Sequence, residues 1–175
     1  MSLPYSVPEG GIRGFDYDRR FAWPFTSMGD VIEMHYGKAL TARDRKPGPV
    51  PVYGSNGVTG WHIEHLSTGP TVILGRKGMG PLGVEWCEGD LWVIDTAYYT
   101  SFDEERIDPR FFYYYTKYVG LNHLKDGTSN PSLTRDRFLR QPVPVPPLAV
   151  QRRITSVLGA LDDKIELNRG MNRTL

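Results

Sequence analysis

Apolar residues along this chain follow two different rhythms. Between residues 50 and 94 they come in short runs separated by Gly, Asn, Pro and Ser clusters, whereas from Leu148 onward they recur at alternating spacings of four and three. The first rhythm predicts strands and the second a single helix. Val50–Tyr53, Gly60–Ile63, Thr71–Leu74, Val84–Trp86 and Leu91–Ile94 are each short and rich in β-branched and aromatic residues, as strands require. Three short helices are expected around them. Ser27 can cap one that runs through Asp30 and Glu33 to Met34 and ends at Gly37. Asp108 followed by Pro109 is an N-cap with proline at the first helical position, predicting a helix over Arg110–Val119 closed by Gly120. A last one spans Thr134–Leu139. The rings of Phe111, Phe112, Tyr114, Tyr115 and Tyr118 read as packing rather than as a base-stacking platform, because a helix bearing this many aromatics must bury most of them. The expected fold is α+β: a small mixed domain of short twisted strands and few helices, followed by a long C-terminal helix of coiled-coil type.

That boundary is sharp. Pro142, Pro144, Pro146 and Pro147 fix φ and remove backbone donors, so the segment before Leu148 must be extended and the helix must begin at Pro147 or Leu148. Ile154, Leu158, Leu161, Ile165, Asn168, Asn172 and Leu175 then share one seam, with Arg152, Arg153, Asp163, Lys164 and Arg173 off it. The seam fits a partner helix, and it equally fits a surface helix packed on its own domain. Leu175 carries the seam to the last residue with no stop signal, so the helix reads as cut in mid-course. The expected organisation is an N-terminal extension over 1–20, without periodicity or assigned function; a mixed globular domain over 21–141; a proline-rich spacer over 142–147; and the seam-bearing helix over 148–175.

With 39% apolar and 12% aromatic residues, the chain can bury one sizeable core and is neither disordered nor fibrous. A single cysteine, Cys87, excludes an internal disulfide framework, and the N-terminus does not read as a signal peptide; the expected compartment is the cytoplasm. No apolar run approaches the ~18 residues of a membrane span. The net charge of +1 hides segregation: from Lys38 to Lys77 six Lys or Arg stand against Asp44 and Glu64, and from Gly120 to Ala160 six stand against Asp126 and Asp136. Each stretch is +4, while Pro81–Val119 is −5. The basic stretches can line one phosphate-neutralising face with the acidic one turned elsewhere, or they can be solvated loop charges with no common face.

Most spacings that suggest catalysis are incomplete. Gly78-Met79-Gly80-Pro81-Leu82-Gly83 has the literal G-x-G-x-x-G spacing, but a dinucleotide loop must open a helix, and Pro81 followed by VEWCEGDLWVI predicts a turn into another strand. His62 and His65 form only H-x-x-H, and Cys87 completes no zinc pattern. Asn130-Pro131-Ser132-Leu133 shares only its first two positions with the Asn-Pro-Pro-aromatic motif of amino-methyltransferases. No G-x-S-x-G elbow is present, and Asp95, Asp103, Glu104 and Glu105 read as a solvated acidic face. Recognition remains. Groove readers use Arg, Lys, Asn and Ser, and such groups gather in Gly54-Ser55-Asn56-Gly57 with Arg43, Arg45 and Lys46 upstream, in Arg76-Lys77, and in Lys125-Asp126-Gly127-Thr128-Ser129-Asn130. The cationic arms suit phosphates; Ser55, Asn56, Ser129 and Asn130 suit base edges. Each loop taken alone is more often an ordinary polar turn.

PVPVPPLAVQRRI followed by LDDKIELNRGMNRTL resembles the segment that follows a target recognition domain in specificity subunits of type I restriction-modification systems. SMGDVIEMHYGKAL, PVYGSNGVTGWH, TVILGRKGMGPLG and DGTSNPSLTRDRFLRQPVPVPP resemble, in order, the blocks of that domain. The resemblance implies a non-catalytic chain that reads part of a bipartite double-stranded DNA target. It also implies methyltransferase and motor-nuclease partners organised by the C-terminal helix, with S-adenosylmethionine bound by the methyltransferase and no cofactor in this chain. A full subunit of that family has two recognition domains alternating with two helical segments, and 175 residues supply one of each. A half-size subunit that forms a homodimer through its helix and a piece of a longer subunit both fit. Two other readings stay open: the DNA-recognition portion of a fused methyltransferase or nuclease whose catalytic region lies outside this chain, and a helix-mediated assembly domain without DNA binding.

Overall fold

The computed structural model describes residues 23–127 and 131–173, with Arg173 described by its backbone only. In chain order the strands among them are β1 (Phe25–Ser27), β2 (Ile32–Tyr36), β3 (Val50–Gly54), β4 (Gly57–His62), β5 (Ser67–Thr68), β6 (Thr71–Gly75), β7 (Val84–Cys87), β8 (Asp90–Val93), β9 (Ala97–Phe102), β10 (Lys125–Asp126), β11 (Ser132–Leu133) and β12 (Pro142–Pro144). The α-helices are α1 (Pro109–Val119), α2 (Arg135–Leu139) and α3 (Leu148–Arg173). Two four-stranded sheets, β2-β9-β6-β7 and β4-β3-β8-β5, are joined by two small two-stranded ladders, β1-β12 and β10-β11. The first sheet is antiparallel; in the second, β3 and β8 run parallel.

Strand β6 explains the layering. All five of its residues are buried, because both faces of the strand are covered. Val72 and Leu74 join the core that α1 closes with Phe111, Phe112, Tyr113 and Tyr115, while Ile73 faces the other way and meets Tyr53, Leu91 and Val93 of the second sheet. Helix α1 starts where the sequence requires: the Asp108 carboxylate accepts from the Phe111 N–H at 2.8 Å, Pro109 needs no donor, and Gly120 takes a left-handed φ of 74° at the end. Its rings are mainly core, as expected, with the exception of Tyr118, which is 64% exposed.

Two sequence expectations are corrected. The segment after Ser27 is one 3₁₀ turn, Met28–Asp30, and then strand β2 rather than a helix to Met34. The Asp30 carboxylate does accept from the Ser27 N–H at 3.1 Å, but Ile32 and Met34 are buried and Glu33 between them is exposed, which is the period of two that a strand imposes. The segment Ala97–Phe102, absent from the predicted strands, is the central strand β9 between β2 and β6.

The proline-rich stretch is extended, and Pro142–Pro144 pairs with Phe25–Ser27 in a ladder of two strands where missing proline donors are tolerated. Helix α3 starts at Leu148 and is pinned by Gln151, which is fully buried. The Gln151 Oε1 accepts from the Asp108 N–H at 2.7 Å, and its Nε2 donates to the carbonyls of Pro146 (2.7 Å) and Arg106 (2.9 Å). One side chain thereby ties the start of α3 to the start of α1. Farther along, the Tyr114 hydroxyl donates to the Asp162 carboxylate at 2.8 Å. Burial, followed by that carboxylate, pushes the Tyr114 phenol up, so it stays a donor.

Candidate nucleic-acid interface

Three of the predicted loops meet at one end of the domain. The β3–β4 turn, the segment linking β6 to β7 and the β10–β11 ladder are cross-linked by backbone bonds: Gly83 N–H to Ser55 carbonyl at 2.8 Å, Gly78 N–H to Pro131 carbonyl at 3.3 Å, and Leu133 N–H to Arg76 carbonyl at 2.8 Å. The G-x-G-x-x-G stretch is a turn between strands, and no helix follows it. Its first neighbour, Gly75, is required by close approach: a Cβ there would sit 2.3 Å from the Ser55 carbonyl oxygen. Lys125 lies over the same turn, its Nζ donating to the carbonyls of Gly80 (2.9 Å), Gly78 (3.0 Å) and Met79 (3.4 Å). This arrangement holds the turn outward with Met79 74% exposed at its tip.

Pairing geometry places Arg76. Tyr36 and Tyr98 are directly opposed on β2 and β9, and Leu74 opposes Tyr98 from β6. Arg76, two residues after Leu74, therefore projects from the same face, and its guanidinium lies 5.1 Å from the Tyr36 ring centroid and 5.4 Å from that of Tyr98. Its Nη1 donates to the Asp95 carbonyl at 3.0 Å. Burial pushes the Tyr98 phenol up although Arg76 opposes this, and the hydroxyl donates to the Leu133 carbonyl at 3.1 Å. Tyr36 is 52% exposed and has a second cation beside it, Arg135 at the start of α2, 5.5 Å from the ring centroid. Neither Tyr36 nor Arg135 was singled out from the sequence. The only available signal was the fall of Tyr36 at the strand end beside the basic loops, and it needed β2 to be recognised as a strand.

The remaining predicted residues divide. Asn56 is exposed in the β3–β4 turn and, oriented to donate, reaches the carbonyls of Pro81 (2.5 Å) and Ser55 (2.8 Å). Lys77 lies 3.6 Å from the Asp95 carboxylate. The Ser55 hydroxyl points inward, 2.6 Å from the Lys77 carbonyl and 2.7 Å from that of Thr96, where it staples the converging loops together. Arg45 and Lys46 lie beside β4, and no hydrogen bond among the described residues ties them to the converging loops. Arg45 donates to the Thr59 carbonyl at 2.8 Å, Lys46 lies 3.8 Å from Glu64, and Arg43 is exposed. Ser129, Asn130 and Leu175 lie outside the described residues.

Charge is accordingly less segregated in space than along the chain. Asp95, from the acidic stretch, sits within the basic end, while Arg152 and Arg153 lie exposed on the first turns of α3. His62 is buried and uses Nδ1 to accept from the Lys46 N–H at 3.0 Å; His65 lies 3.7 Å from Asp90. Among the described residues no helix is long and apolar enough to cross a membrane.

The helix seam is also divided. Ile154 and Leu158 are half-buried and, with Trp23, Phe111, Tyr114, Tyr115 and Tyr118, line an apolar groove of about 550 Å³ between α1 and α3. Leu161 and Ile165 are 53% and 47% exposed, and Asn168 is exposed. The first turns of the helix therefore pack on their own domain, and the distal seam is open to solvent.

A family profile described as type I restriction modification DNA specificity domain matches residues 22–175. A type I restriction enzyme specificity subunit of Haemophilus influenzae is 27% identical over 141 residues, covering 79% of this chain and 36% of that protein. The crystal structure of the S subunit of a type I restriction-modification system from M. genitalium superposes with a TM-score of 0.73 at 14% identity, over 92% of this chain and 43% of that one. The HsdS subunit from Thermoanaerobacter tengcongensis superposes at 0.61 with 14% identity, over 95% and 41%. The chain thus spans well under half the length of these relatives.

Proposed function

The chain belongs to the type I restriction modification DNA specificity domain family, and from that premise we propose that it is a non-catalytic specificity module that reads one part of a bipartite duplex target. The observation that carries the reading is the convergence of Asn56, Arg76, Lys77 and the outward-held Met79 turn at one end of a rigid sheet pair. Rigid backbone with short polar and long cationic arms is what base reading and phosphate anchoring need together.

Arg76 and Lys77 serve as phosphate anchors at that end, and Arg43, Arg45 and Lys46 extend the contact along β4; Asn56 is the base reader. Lys125 and Ser55 act by holding the loops that present them. Residues 21–141 form the recognition domain, and α3 docks methyltransferase subunits and through them the restriction motor, or a second copy of the chain, with Leu161, Ile165 and Asn168 on the docking face. Methyl transfer and cleavage reside in those partners.

The test is a salt titration of DNA binding by the purified chain, run side by side on a random-sequence duplex and on a duplex enriched from a randomised pool. Arg76→Gln should weaken both alike and lower the salt slope by about one unit, whereas Asn56→Ala should cost about 1 to 3 kcal/mol on the enriched duplex and far less on the random one. If both variants bind both duplexes like the parent, the DNA face lies elsewhere.

A further inference from the structure

Arg76 and Arg135 reach the same tyrosine ring from different places, just past the end of β6 and the start of α2, and both guanidinium carbons lie within 5.5 Å of the Tyr36 centroid. Among the described residues neither guanidinium has a carboxylate partner. Asp95 offers Arg76 its backbone carbonyl and has its carboxylate 3.6 Å from Lys77. Asp136, beside Arg135, is exposed on α2. Two like charges gathered on one exposed ring repel each other unless an anion lies between them. The ring spaces them and, through its quadrupole, offsets part of their cost while leaving the Arg135 fork, and the Arg76 donors other than the Nη1 N–H held by the Asp95 carbonyl, to meet an anion.

We propose that Arg76, Tyr36 and Arg135 form a clamp for one backbone phosphate of the DNA, with Arg135 and the Tyr36 hydroxyl supplying donors that complete the Arg76 contact. A phosphodiester suits the geometry because each guanidinium presents parallel donors to two anionic oxygens and a phenol O–H can serve the same group. The inference rests on the DNA-reading assignment above and adds two residues to it. Arg135 and Tyr36 make this a sequence-independent anchor beside the base-reading turn.

The experiment uses the purified chain with the random-sequence and pool-enriched duplexes. Arg135→Gln should weaken both to the same degree and reduce the salt slope by about 0.9, so that raising salt from 50 to 200 mM costs roughly threefold less affinity than in the parent. Tyr36→Leu changes no charge. It should nevertheless lower the slope, since the two cations no longer converge, and a ring that merely packs would leave the slope alone. Tyr36→Phe keeps the ring and should hold the parent slope with weaker binding. Thermal melts of each variant confirm the fold, which the exposure of Arg135 leaves insensitive to its replacement. A parent that binds while Arg135→Gln matches it in affinity and slope overturns the clamp alone; a parent that binds neither duplex overturns the DNA reading and the clamp with it.

Discussion

Replacing Gln151 by Leu should detach the start of α3 from the domain it organises. The side chain is fully buried and serves three backbone groups at once: the Asp108 N–H and the carbonyls of Pro146 and Arg106, all at 2.7 to 2.9 Å. Leucine fills a similar volume but leaves all three without a partner. An orphaned buried group costs about 1 to 3 kcal/mol, the donor more than a carbonyl, and the added apolar burial returns about 1 kcal/mol, so the net loss is about 3 kcal/mol. For a chain of this size that corresponds to a fall in Tm of about 6 to 12 °C. Differential scanning calorimetry checks the value, and amide exchange should show the loss concentrated at Asp108 and the first turn of α3. Gln151→Glu provides a second sign. Its carboxylate keeps the bond from the Asp108 N–H but faces two carbonyls, which raises its folded pKa above the unfolded value of about 4.3. Stability is then fully present below that value and lost as pH rises through the folded pKa, so the deficit against the parent must be larger at pH 7 than at pH 4. A Gln151→Leu protein melting within about 2 °C of the parent would refute the three-way anchor.

Three further outcomes are expected. Leu161→Asp, at a position 53% exposed, should leave the melting temperature of the isolated chain within a few degrees and abolish self-association or capture of a methyltransferase subunit in size-exclusion chromatography; survival of both removes the docking role of the distal helix. Lys125→Met should free the carbonyls of Gly78, Met79 and Gly80, raise protease sensitivity at that turn, and weaken binding to the enriched duplex more than to the random one, in contrast to a simple phosphate contact, which weakens both equally. The purified chain should neither methylate nor cut DNA when supplied with S-adenosylmethionine or with magnesium and ATP, as measured by label transfer and by gel; methyl transfer by the chain alone overturns its assignment as a specificity module.

What could be read from the chain by itself was whatever short-range chemistry decides. The Asp108-Pro109 start of α1, the Gly120 stop, the prolines that force Pro142–Pro144 to be extended and the start of α3 at Leu148 all follow from φ restriction and donor accounting within a few residues. So did the strand runs from Val50 to Val93, and the family, whose sequence blocks are colinear with this chain. Where local and tertiary signals conflicted, the local one failed. Ser27 and Asp30 form a genuine helix-start pair, but Ile32 and Met34 gain more by facing the core from a strand paired with β9, and that pairing spans about 66 residues of sequence, as His35 and Ser101 show. The site depended on tertiary structure for the same reason. The sequence marks Lys125 as a phosphate arm and Ser55 as a base reader, and only the fold brings carbonyls 22 to 47 residues away within hydrogen-bond reach of them. Arg135 and Tyr36, 99 positions apart, carried no mark in the sequence, because two cations meeting on one ring is a property of how β2 and α2 are brought together and of nothing local to either.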